Sequence, residues 1–139
     1  MSQPQRLVLL LGLLALAGCA TTTPTNIAGS GTQLETRQIQ TREYDTLNKA
    51  MTMRSVIATL QDLGFTIDQA DAELGTVTAT RLDDYTMRMT VTVVQKDGER
   101  ISVRANARIG ENAVLDAATY QDFFVVLDKA MFLTMHKVD

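Results

Sequence analysis

Two runs of strict alternation constrain this chain more than any other feature. Tyr85, Met87, Met89, Val91 and Val93 interleave with Thr86, Arg88, Thr90 and Thr92. Ile101, Val103, Ala105, Ala107 and Ile109 interleave with Ser102, Arg104, Asn106 and Arg108. Strand side chains point to opposite faces with a period of two, so each run carries one apolar and one polar face. Two such strands joined through Asp97-Gly98 make an antiparallel hairpin that is buried on one side and wet on the other.

Parity limits how the hairpin closes. A two-residue Asp97-Gly98 loop pairs Val91 with Arg104 and sends the two apolar sets to opposite faces. A three-residue loop, Lys96-Asp97-Gly98, pairs Val93 with Ile101, Val91 with Val103 and Met89 with Ala105. A slip of one residue flips every side chain, so the second register is expected, with Gly98 in the left-handed position of a type I turn with a G1 bulge. The same reasoning at Leu82-Asp83-Asp84 pairs Ala79 with Met87 and Val77 with Met89. On the polar face the Lys96-Asp97-Gly98 register sets Thr90 opposite Arg104 and Thr86 opposite Arg108.

The remaining elements follow from period and punctuation. Residues 37–44 alternate weakly and suit an edge strand. Asp45 or Thr46 can cap a helix carrying Met53, Val56, Ile57, Leu60 and Leu63 on one face. Gly64 suits the C′ position, with Phe65 at C″ against Leu60 in a Schellman stop. Phe65–Ala70 and Gly75–Arg81 read as strands, with a turn at Asp71-Ala72-Glu73. A last helix from about Ala117 to His136 gathers Tyr120, Phe123, Phe124, Leu127, Ala130 and Met131 on one face. The order β-α-β-β-β-β-α predicts an α+β domain over 37–139, a two-layer antiparallel sheet with two helices on one face in a helix-grip arrangement. The methionines read as flexible core filling rather than metal ligands.

The N-terminal segment says where such a domain would work. Arg6 precedes an apolar run, Leu7 to Gly18, of 12 residues. A transmembrane helix needs about 20, whereas a signal-peptide h-region is of this length. The run ends Leu16-Ala17-Gly18-Cys19, which resembles the lipobox of a bacterial lipoprotein signal. That resemblance implies removal of residues 1–18, acylation of Cys19 and a membrane anchor. One acyl chain binds only marginally, and the three usual in this class hold firmly. Ala20, where the class places Asp for inner-membrane retention, implies the periplasmic side of the outer membrane. Residues 19–36, rich in Thr, Gly, Ser and Pro, read as the lipidated cysteine and a flexible tether, spanning roughly 20–25 Å as a coil.

Charge and cysteine usage exclude several classes. The net charge is −3, and removing residues 1–18 deletes Arg6 and no acid, leaving −4. An acidic chain argues against general binding to nucleic acid or to anionic membranes. Cys19 is the single cysteine, so the domain holds no internal disulfide even in an oxidising compartment.

Several segments together resemble a family of small, largely uncharacterised proteobacterial outer-membrane lipoproteins. They are the lipobox, Thr41-Arg42-Glu43-Tyr44-Asp45, Leu60-Gln61-Asp62-Leu63-Gly64-Phe65, Leu74-Gly75-Thr76-Val77-Thr78-Ala79, Tyr120-Gln121-Asp122-Phe123-Phe124 and Lys129-Ala130-Met131-Phe132-Leu133. The resemblance implies a periplasm-facing domain and supplies no activity. In element order alone the chain also looks like the helix-grip domains of BamC, a lipoprotein of the outer-membrane β-barrel assembly machine, which has two such domains where this chain has one.

No catalytic, metal or cofactor constellation is legible. His136 is the only histidine, and it sits at a helix end without partners at ligand spacing. Asp83-Asp84 reads as a solvated turn, and no phosphate-loop glycine pattern occurs. A wall hydrolase would have no nucleophile–base pair. Two surfaces remain. Arg88, Arg104 and Arg108 fall on the polar sheet face among hydroxyls, either as a site for an acidic partner or glycan carboxylate or as an ordinary solvated β face. Val125 and Phe132 lie seven apart, opposite the core stripe of the last helix, either as a docking pair or as part of a helix covered on two sides. The expectation is a non-enzymatic adaptor that binds an envelope protein; the alternative is a carrier of a small apolar ligand or lipid in a slot under the Met-rich face.

Overall fold

The computed structural model describes residues 27–136, with side chains from residue 32 onward. Its central hairpin is β4 (Thr86–Lys96) and β5 (Arg100–Ile109). Strands β3 (Thr76–Leu82) and β2 (Thr66–Asp71) extend it on one side, and β1 (Thr41–Tyr44) pairs β5 on the other. A two-residue β6 (Asn112–Ala113) continues along the same edge of β5 beyond β1. The sheet is antiparallel and open, in the order β1-β5-β4-β3-β2.

Parity decides the core. Val77, Ala79, Met87, Met89, Val91, Val93, Ile101, Val103, Ala105 and Ala107 all face inward and are buried. Helices α2 (Lys49–Asp62) and α3 (Ala117–Met135) cover them with Met53, Val56, Leu60, Tyr120, Phe123, Phe124, Leu127 and Met131. Each such side chain contributes about 1.5–3 kcal/mol through lost apolar surface. The expected α+β two-layer architecture is therefore the observed one. Tyr85 alone leaves the inward set: it lies in the β3–β4 turn and is exposed.

Both hairpins keep the expected parity and three-residue loops, but slide by two residues. Val91 pairs with Ala105, Val93 with Val103 and Met89 with Ala107. Val77 pairs with Val91 and Ala79 with Met89. A two-residue slip leaves every side chain on its own face, so burial patterning does not register it; turn chemistry does. Asp97 and Gly98 have φ of 53° and 69°, and Glu99 N–H donates to the Lys96 carbonyl at 3.3 Å. Positive φ at both central positions is the type I′ pattern that Asp-Gly favours, in place of the expected type I turn with a G1 bulge.

The helix ends follow local rules. At the stop of α2, Gly64 has φ 82°, its N–H donates to the Gln61 carbonyl at 3.0 Å, and Phe65 N–H donates to the Leu60 carbonyl at 2.9 Å. This is the expected Schellman motif. The N-cap is Asn48, whose side chain accepts from Met51 N–H at 2.9 Å, and not Asp45 or Thr46. Thr46 is occupied by the turn: its N–H donates to the Tyr44 carbonyl and its Oγ1 accepts from Asn48 N–H.

The largest departure is at the N-terminal side. Residues 27–40 form a helix, α1 (Ile27–Gln40), and not a coil followed by a strand from residue 37. The first strand is shortened to 41–44, and the element order gains one helix and β6. Gln33, Leu34, Glu35, Arg37 and Gln38 are good helix formers, and α1 is anchored where Ile39 and Gln40 meet the core. Signal residues 1–18, Cys19 and the first part of the expected tether, residues 20–26, lie outside the described residues.

Candidate functional site

The polar face of the sheet is built by register. Thr76, Thr92, Arg104 and Thr41 form one cross-strand row, and Thr78, Thr90 and Asn106 the next. Thr80, Arg88 and Arg108 form the third. Arg104 thus faces Thr92, not Thr90, and Arg108 faces Arg88, not Thr86.

Charge on this face is unevenly neutralised. Near the β4–β5 turn, Glu43 accepts from Lys96 Nζ at 2.6 Å and Arg100 Nη1 at 2.8 Å. The Lys96 hydrogen bond, with the charges of both cations, holds the Glu43 carboxyl below the usual range against some desolvation. That same bond pushes the Lys96 ammonium up. On the other, helix-covered face, Arg81, paired across the ladder with Met87, forms an ion pair with Asp83 at 2.8 Å and lies over the Phe65 ring. Among the described residues, Arg88 and Arg104 have no ion pair and no side-chain hydrogen bond.

The three arginines sit in two places. Arg88 and Arg108 line a cleft of about 340 Å³ with Thr86, Gly110 and Glu111. Arg108 Nη2 donates to the Glu111 carbonyl at 2.7 Å and lies 3.4 Å from its carboxylate, which is fully exposed. Arg104 opens instead on a groove of about 280 Å³ beside α1, with Thr36, Arg37, Gln40 and Leu115.

The second predicted surface lies on α3, on the other side of the molecule from the sheet. Val125 and Phe132 are 58% and 57% exposed, so this side of the helix is uncovered. Leu133 and Met135 extend the exposed set, and the His136 ring stacks on Phe132 at 4.1 Å. Between α2 and α3, Ser55, Ala58, Ala130 and Leu133 line a shallow groove. The Ser55 and Thr59 hydroxyls are buried there without a hydrogen-bond partner in the described structure.

Two polar clusters escape the sequence reading. Tyr120 is fully buried. Its hydroxyl donates to the Val114 carbonyl at 2.6 Å and accepts from Ala107 N–H and Gln40 Nε2, each at 3.1 Å. It fills the gap in the edge of β5 between its pairings with β1 and β6. A tyrosine on an otherwise apolar helix face was the available signal, because a buried phenol needs a partner. The other cluster ties β1 to α3: Arg42 pairs with Asp128, Tyr44 donates to Asp128 at 2.7 Å, and Arg42 lies over the Phe124 ring. Burial first, then the Asp128 hydrogen bond and charge, push the Tyr44 phenol above its ordinary value.

Of the methionines, Met51, Met53, Met87, Met89 and Met131 pack in the core, and Met135 is exposed. Among the described residues no three His, Cys, Asp or Glu side chains converge as metal ligands, and no helix is long and apolar enough to cross a membrane. Comparison of the chain with models of known families, and with curated proteins, gives no match.

Proposed function

We propose that this chain is a lipid-anchored, non-enzymatic interaction module of a bacterial envelope, held to the periplasmic side of the outer membrane through Cys19. The observation that carries this reading is the sequence Leu16-Ala17-Gly18-Cys19 behind a short apolar run that opens with Arg6. The domain supports it by what it offers to a partner. One flank presents Val125, Phe132 and Leu133 to solvent, and the opposite sheet face presents arginines among hydroxyls. Isolated exposed apolar residues are ordinary on a protein surface; a set along one helix marks an interaction face. A carrier of an apolar ligand would need space beneath the sheet that the five buried methionines occupy themselves.

Metabolic labelling tests the anchor. Cells fed labelled palmitate should label the native chain, and a Cys19→Ala variant should lose both label and outer-membrane fractionation. Photocrosslinking from positions 125 and 132 then tests the partner. A discrete adduct is expected from both, and absence of any adduct in intact envelopes refutes the adaptor role.

A further inference from the structure

We propose that Arg88, Arg108 and Thr86 form a binding site for a phosphate group on the polar face of the sheet. The site deepens the reading above by giving one partner-facing patch a ligand chemistry; its affinity for phosphate does not depend on the anchor. Three observations converge. The β4–β5 register sets Arg88 directly opposite Arg108, and like charges at facing positions are destabilising unless something neutralises them. Elsewhere on this face, Lys96 and Arg100 share Glu43, while Arg88 has no acid. The two guanidinia also line a real concavity of about 340 Å³, at the small end of the range for ligand pockets.

The donor set suits a tetrahedral oxyanion. Arg108 is held in place by its bond from Nη2 to the Glu111 carbonyl, which leaves its other N–H groups to donate. Each guanidinium is a planar fork that engages two oxygens at once, and the Thr86 hydroxyl stands at the same cleft for a third. Gly110 also lines the cleft, and nothing lies within 4 Å of where its Cβ would sit. The Glu111 carboxylate, already fully exposed, can swing away as an anion enters.

The test is an amide-shift NMR titration of the full acylated chain in nonionic detergent, with three probes. Inorganic phosphate stands for a monoester or free phosphate, dimethyl phosphate for a lipid headgroup diester, and glucuronate for a carboxylate. Saturable shifts confined to Thr86, Arg88, Arg108, Gly110 and Glu111 with either phosphate probe support the site, and the tighter of the two identifies the source. Arg88→Gln and Arg108→Gln should each weaken that binding about tenfold or more, the worth of a charge-assisted contact, while the exposed Lys129→Gln should not. Absence of saturation by about 10 mM, too weak for two such contacts, overturns the proposal. So does equal or tighter binding of glucuronate, or undiminished binding in both arginine variants. Palmitate labelling is independent of all these outcomes, so the anchor and the site fail separately.

Discussion

Replacing Tyr120 with phenylalanine removes one oxygen and nothing else from the interior. The ring is fully buried and remains, so no cavity opens. What disappears is the acceptor for Ala107 N–H and Gln40 Nε2 and the donor to the Val114 carbonyl. Ala107 and Gln40 are both buried, and neither gains a substitute by local motion, because β1 and β6 stop on either side of the gap. A typical intramolecular hydrogen bond contributes about 1 kcal/mol net, and a buried group left unpaired costs about 1–3 kcal/mol. The Tyr120→Phe change should therefore destabilise the domain by about 3 kcal/mol. For a domain near 100 residues that is a fall in melting temperature on the order of 12 °C.

Urea unfolding followed by circular dichroism measures the loss, with an unchanged m-value showing that the transition itself is the same. Hydrogen exchange supplies the local readout: the Ala107 amide should lose protection in the variant before its neighbours on β5. Tyr85→Phe, at an exposed turn tyrosine, is the control and should stay within about 0.5 kcal/mol of the parent. A Tyr120→Phe loss below about 1 kcal/mol, the worth of a single ordinary hydrogen bond, with Ala107 still protected, would refute the assignment of this hydroxyl as the closure of the sheet edge.

Other perturbations separate local causes. Gly75→Ala places a Cβ 2.3 Å from the Val93 carbonyl at φ 75°, so a loss of about 3 kcal/mol or more is expected; Gly64→Ala, whose Cβ would meet only Arg81 Cδ at 3.7 Å, should cost about 1 kcal/mol. Chemical denaturation distinguishes the pair. Asp128→Asn strips Arg42 of its ion pair, but the side chains are 41% and 45% exposed, so a loss of about 1 kcal/mol or less is expected by the same assay. Tyr44 holds its proton more tightly folded than unfolded. Stability should therefore be level below the ordinary tyrosine value and fall as pH climbs past about 10, with a shallower fall in Tyr44→Phe. Glu43 is the mirror case: its lowered value stabilises above the usual carboxylate range and is lost as pH falls through it, so Glu43→Gln should flatten the acid limb of a pH–stability profile.

The parts of the fold that were legible are those governed by one dominant force. Alternation in β4 and β5 settled which side chains are buried, because moving Val91 or Ile101 to the wet face would expose them. Gly64 and Phe65 announced the end of α2, because a left-handed residue followed by a buried aromatic has few other uses. Helix α1 was not legible: Gly29, Ser30 and Gly31 speak against helix, and its tertiary anchors come from distant residues, notably the Gln40–Tyr120 bond across 80 positions. The Asp128 cluster was hidden for the same reason, since Arg42, Tyr44 and Asp128 are adjacent only after β1 docks against α3. The candidate site was half legible. Its residues were found as a face, while their grouping into Arg88 with Arg108 and Arg104 apart depended on a register that burial does not fix.

That register shows how the scaffold and its surface chemistry are set by different parts of the same hairpin. Parity is enough to build the core: pairings that slip by two residues bury the same side chains against α2 and α3. They do not build the same outer face. Pairing Val91 with Val103 would have spread the arginines singly among Thr86, Thr90 and Asn106; pairing Val91 with Ala105 brings Arg88 against Arg108. The choice is made at the far end of the strands, where Asp97 and Gly98 take positive φ together and Glu99 adds a third loop residue, so that the ladder starts at Lys96 and Arg100. From there to Arg88 is eight residues along β4, roughly 27 Å at strand rise. A three-residue turn with no contact to the cleft thus fixes which cations meet in it, and the outer face is free to change its ligand through residues that leave the buried face untouched.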